Sequence, residues 1–187
     1  MRLFMILFYH YEIQNEDRLK NIQSPVIVAM NHISWFDPPC IGAIAPFELA
    51  FLAKAELFRN PIFGGMIARL NSIPIHRGKP DKEAISTALN ALKNKKSLLL
   101  FPEGTRKGKS VKPGVGMFAV KMQKDILPIY IENSDKLLSC AVFRRKLIIK
   151  VGQLVKISEF NNLTEDKKSY QIIAETVYKK ILDLKYD

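Results

Sequence analysis

Apolar and polar positions along this chain fall into blocks whose period switches between that of a strand and that of a helix. After its opening proline, Pro25 to Ala29 is wholly apolar and β-branched, as a parallel strand buried on both faces requires. Apolar runs at 51–53, 73–75, 98–101, 126–131 and 146–151 predict five further strands. Between them the spacing becomes helical. At 81–94 Ala84, Ile85, Ala88, Leu89 and Leu92 form one stripe, and at 165–184 Ile172, Ile173, Val177, Ile181 and Leu184 form another with lysines opposite. Helices are also predicted at 61–70, with Gly64-Gly65 as a weak point, at 114–123, and from Asp37, read as an N-cap with Pro38 at the first helical position. Strand and helix alternate throughout. The expected fold is therefore α/β: a layered, mixed but largely parallel sheet flanked by helices, in a single domain over 1–187.

Composition narrows the picture. The chain has 187 residues and 48% hydrophobic content, enough to bury a core and too apolar for a disordered chain. Two scattered cysteines, Cys40 and Cys140, fit neither a disulfide framework nor a zinc site and are expected to be reduced and buried, as in a cytosolic protein. The net charge of +11 points to a polyanionic partner. No helix-turn-helix, RNA-recognition or zinc-finger pattern accompanies it, so nucleic acid is not expected and an anionic lipid surface is. Met1 to Phe8 is apolar but far short of the ~20 residues that span a bilayer. It has no small-residue cleavage site, so a secretory signal is not expected, and it either lies as an interfacial anchor in the membrane or packs as a first element on the core.

Two polar segments stand just beyond strand ends, where open α/β sheets keep their reactive groups. The first is Asn31-His32-Ile33-Ser34-Trp35-Phe36-Asp37. Imidazole is suited to general base work near neutrality, and a carboxylate on its far nitrogen would fix the tautomer. Five residues along one ideal helix turn through about 500°, which would part the two side chains. His32 must then sit in the loop, with Asp37 opening the helix. The second segment is Phe101-Pro102-Glu103-Gly104-Thr105-Arg106, where a guanidinium can grip phosphate and a glycine allows close backbone approach. Lys107, Lys109 and Lys112 extend the positive field or form a solvated basic loop.

Histidine, four residues and aspartate, followed downstream by Phe-Pro-Glu-Gly-Thr-Arg, resembles the glycerolipid acyltransferases typified by 1-acyl-glycerol-3-phosphate acyltransferase. The resemblance runs from about Tyr9 to Val155. Asn71-Ser72-Ile73-Pro74-Ile75-His76-Arg77 is similar to the family's second motif, with Asn71 for glycine, Pro74 for the aromatic and His76 for the acidic residue. Ile126 to Ile131 is similar to its fourth. The resemblance implies a glycerol-3-phosphate acyltransferase-like fold, His32 and Asp37 as the catalytic pair, and Arg77, Glu103, Gly104, Thr105 and Arg106 on the acceptor. His76 reads as a bystander with no aspartate partner.

The implied reaction moves a fatty acyl chain from acyl-CoA or acyl carrier protein to the hydroxyl of lysophosphatidic acid, giving phosphatidic acid in phospholipid synthesis. It needs no metal or redox cofactor and proceeds peripherally at the cytoplasmic face of the membrane. Glycerol 3-phosphate or another lysophospholipid is the rival acceptor. A basic lipid- or nucleic-acid-binding module without catalysis is the rival from another class, and it leaves the His-Asp pair unexplained.

Overall fold

The computed structural model describes residues 10–186 apart from Ser24, 77–80, Lys107 and Lys109, and of Phe63 the backbone alone. Met1 to Phe8 and Arg77 thus lie outside the described residues, as do Lys107 and Lys109. A seven-stranded sheet runs in the order β1-β7-β6-β2-β5-β3-β4. Its strands are β1 Tyr11–Gln14, β2 Ile27–Met30, β3 Leu49–Lys54, β4 Ser72–Ile75, β5 Ser97–Leu100, β6 Ile126–Glu132 and β7 Leu147–Val151. Neighbours are parallel except β6 and β7. The sheet is therefore mixed and largely parallel, and helices cover both faces.

Alternation along the buried strands divides the core into two layers. Val28, Met30, Leu99, Leu127 and Ile129 point to one face. There they meet α1 (Glu16–Lys20), α2 (Asp37–Ile44), α3 (Pro61–Arg69) and α6 (Leu137–Ala141) through Leu19, Ile41, Ile67 and Cys140. Ile27, Ala29, Leu98, Leu100 and Ile126 point to the other. They meet α4 (Lys82–Lys93), α5 (Gly114–Met122) and α7 (Lys167–Asp183) through Ala88, Leu92, Phe118, Ile173 and Val177. Every residue of β2 and β5 is buried, which is why 27–30 and 98–100 read as unbroken apolar runs rather than alternating ones.

Local packing corrects two expectations and explains a third feature. Asp37 is not the N-cap; Phe36 precedes the helix without a side-chain cap bond, because the Asp37 carboxylate turns back to accept from the preceding loop. α3 runs unbroken through Gly64-Gly65. A Cβ on Gly64 would stand 2.7 Å from the carbonyl oxygen of Phe58, so the glycine lets α3 close onto the 3-10 turn Ala55–Arg59. Ile172 is 40% exposed, and the sheet-facing stripe of α7 is Ile173, Ala174, Val177 and Ile181. Among the described residues no helix is long and apolar enough to cross a membrane.

Candidate active site

The register of β2 and β5 sets the two motifs side by side. Ala29 lies opposite Leu100, so the third residue beyond each, His32 and Glu103, leave the sheet at the same height. The His32 N–H donates to Glu103 Oε2 at 2.8 Å. Asn31 makes that exit possible. Its buried amide donates to the Ile131 carbonyl at 2.9 Å and accepts from the Ile131 N–H at 2.8 Å, continuing the β2·β6 ladder through a side chain while the backbone turns away.

His32 Nδ1 lies 2.7 Å from Asp37 Oδ2. The same oxygen accepts from the N–H groups of Ile33 (2.8 Å) and Ser34 (2.9 Å), and Oδ1 accepts from the buried Ser134 hydroxyl, just past β6. A fully buried carboxylate surrounded by donors can only accept, so the proton of the His32–Asp37 bond belongs on Nδ1 and the lone pair on Nε2. The ring is stacked on Phe101, centroids 4.0 Å apart at 20°, and its side chain is 12% exposed. That combination holds the imidazole in one plane while leaving Nε2 able to meet a substrate.

The second motif folds around Gly104, whose φ of +70° is left-handed and favours glycine. Its N–H donates to the Phe101 carbonyl at 2.8 Å, closing a turn. The Glu103 carboxylate is bound by two internal donors. One oxygen takes the His32 N–H and the other takes the Tyr178 hydroxyl of α7 at 2.8 Å, so both are engaged inside the protein. Arg106 lies over the Trp35 ring, 4.2 Å from its centroid, a cation–π contact between the two motifs.

Burial and then the bond to Glu103 push the Tyr178 hydroxyl up to about 12, above the 10.0 of a free tyrosine. A raised pKa contributes stability that is complete below about pH 10 and is lost as pH rises through about 12. Tyr178→Phe should cost about 1 kcal/mol in urea unfolding at neutral pH, with kcat reduced less than tenfold. No change in stability would remove this bond from the account.

His32, Trp35, Phe101, Thr105 and Arg106 share the wall of one cavity of about 770 Å³, otherwise lined mainly by apolar side chains such as Phe36, Phe51, Leu52, Ile67 and Leu70. A neighbouring cavity of about 430 Å³ shares Pro38, Pro39, Phe51 and Leu70 with it. Gly104, Glu103 and Thr105 also border a third, of about 530 Å³, with His76 and Lys112. The structure thus brings His32, Asp37, Glu103, Thr105 and Arg106 together, and sets Gly104 at their edge.

Reading His76 as lacking an aspartate is corrected: Asp81 stands five residues on, the same interval as His32 to Asp37. Its Oδ2 accepts the His76 N–H at 2.8 Å and lies 3.1 Å from Nδ1. Unlike His32, His76 is 70% exposed. Asp81 is also the N-cap of α4, and the N–H groups of Ala84 and then His76 hold its carboxyl down at about 2. Burial, and then the Asp37 charge, push the Cys40 thiol up to about 12, so Cys40 is an inert packing residue of α2. Among the described residues no group of three or more metal-ligating side chains gathers.

The family model described as Acyltransferase matches residues 10–132. The 1-acyl-sn-glycerol-3-phosphate acyltransferase of Streptococcus pneumoniae is 31% identical over 159 residues, 84% of this chain and 59% of the relative, so the chain spans less than two thirds of that protein. The enzyme of that name from Helicobacter pylori is 33% identical over 169 residues, 83% of this chain and 68% of the relative. The crystal structure of the 1-acyl-sn-glycerophosphate (LPA) acyltransferase of Thermotoga maritima superposes with a TM-score of 0.73 at 28% identity, covering 100% of this chain and 76% of that one. The chain belongs to the acyltransferase family.

Proposed function

We propose that the protein transfers a fatty acyl chain from acyl-CoA or acyl carrier protein to the free hydroxyl of lysophosphatidic acid, forming phosphatidic acid. The observation that carries this reading is a histidine oriented by a buried carboxylate in the wall of a mainly apolar cavity that also holds a guanidinium. The names of the relatives support the acceptor. His32 Nε2 takes the hydroxyl proton as the acceptor oxygen attacks the thioester carbonyl, and Asp37 stabilises the imidazolium. The tetrahedral adduct collapses, the C–S bond breaks, and the imidazolium returns its proton to the departing thiolate. No acyl-enzyme is needed, because the acceptor supplies the nucleophile.

Arg106 binds the acceptor phosphate, and Arg77 is its proposed second ligand. Glu103 serves in this reading as a clamp that fixes the His32 backbone beside the acceptor site. The +11 net charge supports a peripheral position at the cytoplasmic face, drawn to anionic headgroups and to acidic donors.

Initial rates with lysophosphatidic acid and with glycerol 3-phosphate, for wild type and Arg106→Ala, test the acceptor assignment. Loss of a charged hydrogen bond should raise the acceptor KM about 10- to 100-fold with a smaller change in kcat. An unchanged acceptor KM would remove Arg106 from the site. Turnover of glycerol 3-phosphate in preference to the lysolipid would replace the acceptor.

A further inference from the structure

The turn that leads from β6 to β7 ends in an apolar tip that acyl transfer does not use. Leu138, Val142 and Phe143 are 87%, 63% and 68% exposed. Lys136, Arg144 and Arg145 stand exposed around them. Lys146 is held by Glu12 at 3.1 Å, and Asp135 is the one acid between 133 and 146. The tip is firmly built. The N–H groups of Arg144 and Arg145 both donate to the Ser139 carbonyl, Val142 donates to Leu138, and Phe143 takes a left-handed φ of +58°. A phenylalanine fixed outward at such a position loses its apolar contact to water unless a partner covers it. The nearby His10 ring, 5.6 Å away centre to centre, leaves it more than half exposed.

Position argues for what the partner is. β6 runs parallel to β2, and from its carboxyl end Ser134 reaches Asp37, so the tip rises from the same end of the sheet as His32. Leu137 and Cys140 pack in the layer that contains α2 and α3, the layer into which the cavity opens. The cavity rim carries its own exposed apolar residues, Trp35, Phe36 and Met66, at 50–53%. The tip spans from the end of β6 to the β1·β7 edge, where Phe143 meets His10, and the cavity lies over β3, so three to five strand spacings, roughly 14–24 Å, separate them. One flat apolar surface with anionic headgroups could touch both at once.

We infer that Leu138, Val142 and Phe143 form a bilayer-insertion tip. They enter the boundary between headgroups and acyl chains, while Lys136, Arg144 and Arg145 bind anionic headgroups, and the cavity mouth is thereby held at the membrane. The inference rests on the proposal that the acceptor is a bilayer-borne lysophospholipid. It adds which surface meets the lipid.

The test uses the full chain and vesicles of phosphatidylcholine with or without phosphatidylglycerol. In co-sedimentation, Leu138→Ser/Phe143→Ser should lower the partition coefficient about tenfold or more on both vesicle types. Arg144→Gln/Arg145→Gln should lose at least about tenfold of the phosphatidylglycerol-dependent gain. Phe143→Trp should add fluorescence that brominated lipids quench. The serine variant should turn over a short-chain acceptor, kept below its micelle concentration, at the wild-type rate, and a vesicle-borne acceptor more slowly. Wild-type partition by the serine variant, or an unquenched Trp at 143, overturns the inference. So does a change confined to self-association in lipid-free buffer, which would make a second copy the partner. Wild-type protein that binds vesicles through the tip yet acylates no acceptor would sink the proposed function and leave the tip standing.

Discussion

His32→Ala is expected to lower kcat by about 10²- to 10⁴-fold, the usual contribution of a positioned general base. The fold should survive. The ring lies at a loop, 12% exposed, and stacks on Phe101. The backbone N–H that Glu103 holds is untouched by the change. Melting temperature and acceptor KM should therefore move little while turnover collapses. Glutamine at this position, which keeps a polar side chain but cannot take up a proton near neutrality, should be no more active than alanine. A variant within tenfold of wild type would mean that another group removes the acceptor's proton.

Asp37 is expected to matter twice over, once for rate and once for stability. Its carboxylate accepts from His32, Ile33, Ser34 and Ser134 and has no exposed side-chain surface. Asp37→Asn keeps the size but presents an NH₂ to groups that are themselves donors. In the Ser-His-Asp arrangement that exchange costs about 10⁴ in rate through the wrong tautomer, and a loss approaching that is expected here. Asp37→Ala leaves the loop N–H groups and the Ser134 hydroxyl without an acceptor in a buried space. It should destabilise the protein by about 2–4 kcal/mol in urea unfolding, as unmatched buried donors do. Full stability in the alanine variant would show that these bonds do not hold the loop.

Local chemistry makes much of this site legible in the sequence. Pro25 to Ala29 and Leu98 to Phe101 read as buried strands because both their faces are covered. The rule that reactive groups stand beyond strand ends then put His32 and Glu103 on one edge. What stayed hidden depends on partners distant in the chain. Tyr11–Gln14 becomes a strand because β7 offers it an edge 136 positions later at Leu147, and its own four residues carry a weak pattern. Ser134 and Tyr178 complete the carboxylates of Asp37 and Glu103 from positions 97 and 75 residues away. Asp37 departs from its expected cap role for the same reason: its preference for a helix start is outweighed by the donors of the loop behind it. Asp81 beside His76 was in plain view, and the five-residue interval that identified the first pair would have identified it too.

The account turns on the acceptor's own hydroxyl being activated by His32, with no covalent enzyme intermediate. The direct test mixes the protein with acyl-CoA, or with acyl carrier protein, and follows thiol release before and after lysophosphatidic acid is added, while intact-protein mass is monitored. Thiol release that begins only with the acceptor, matches phosphatidic acid one for one, and leaves the protein mass unchanged is the predicted result. A burst of thiol without acceptor accompanied by an acyl increment on the protein would contradict it, as would silence with every donor and acceptor.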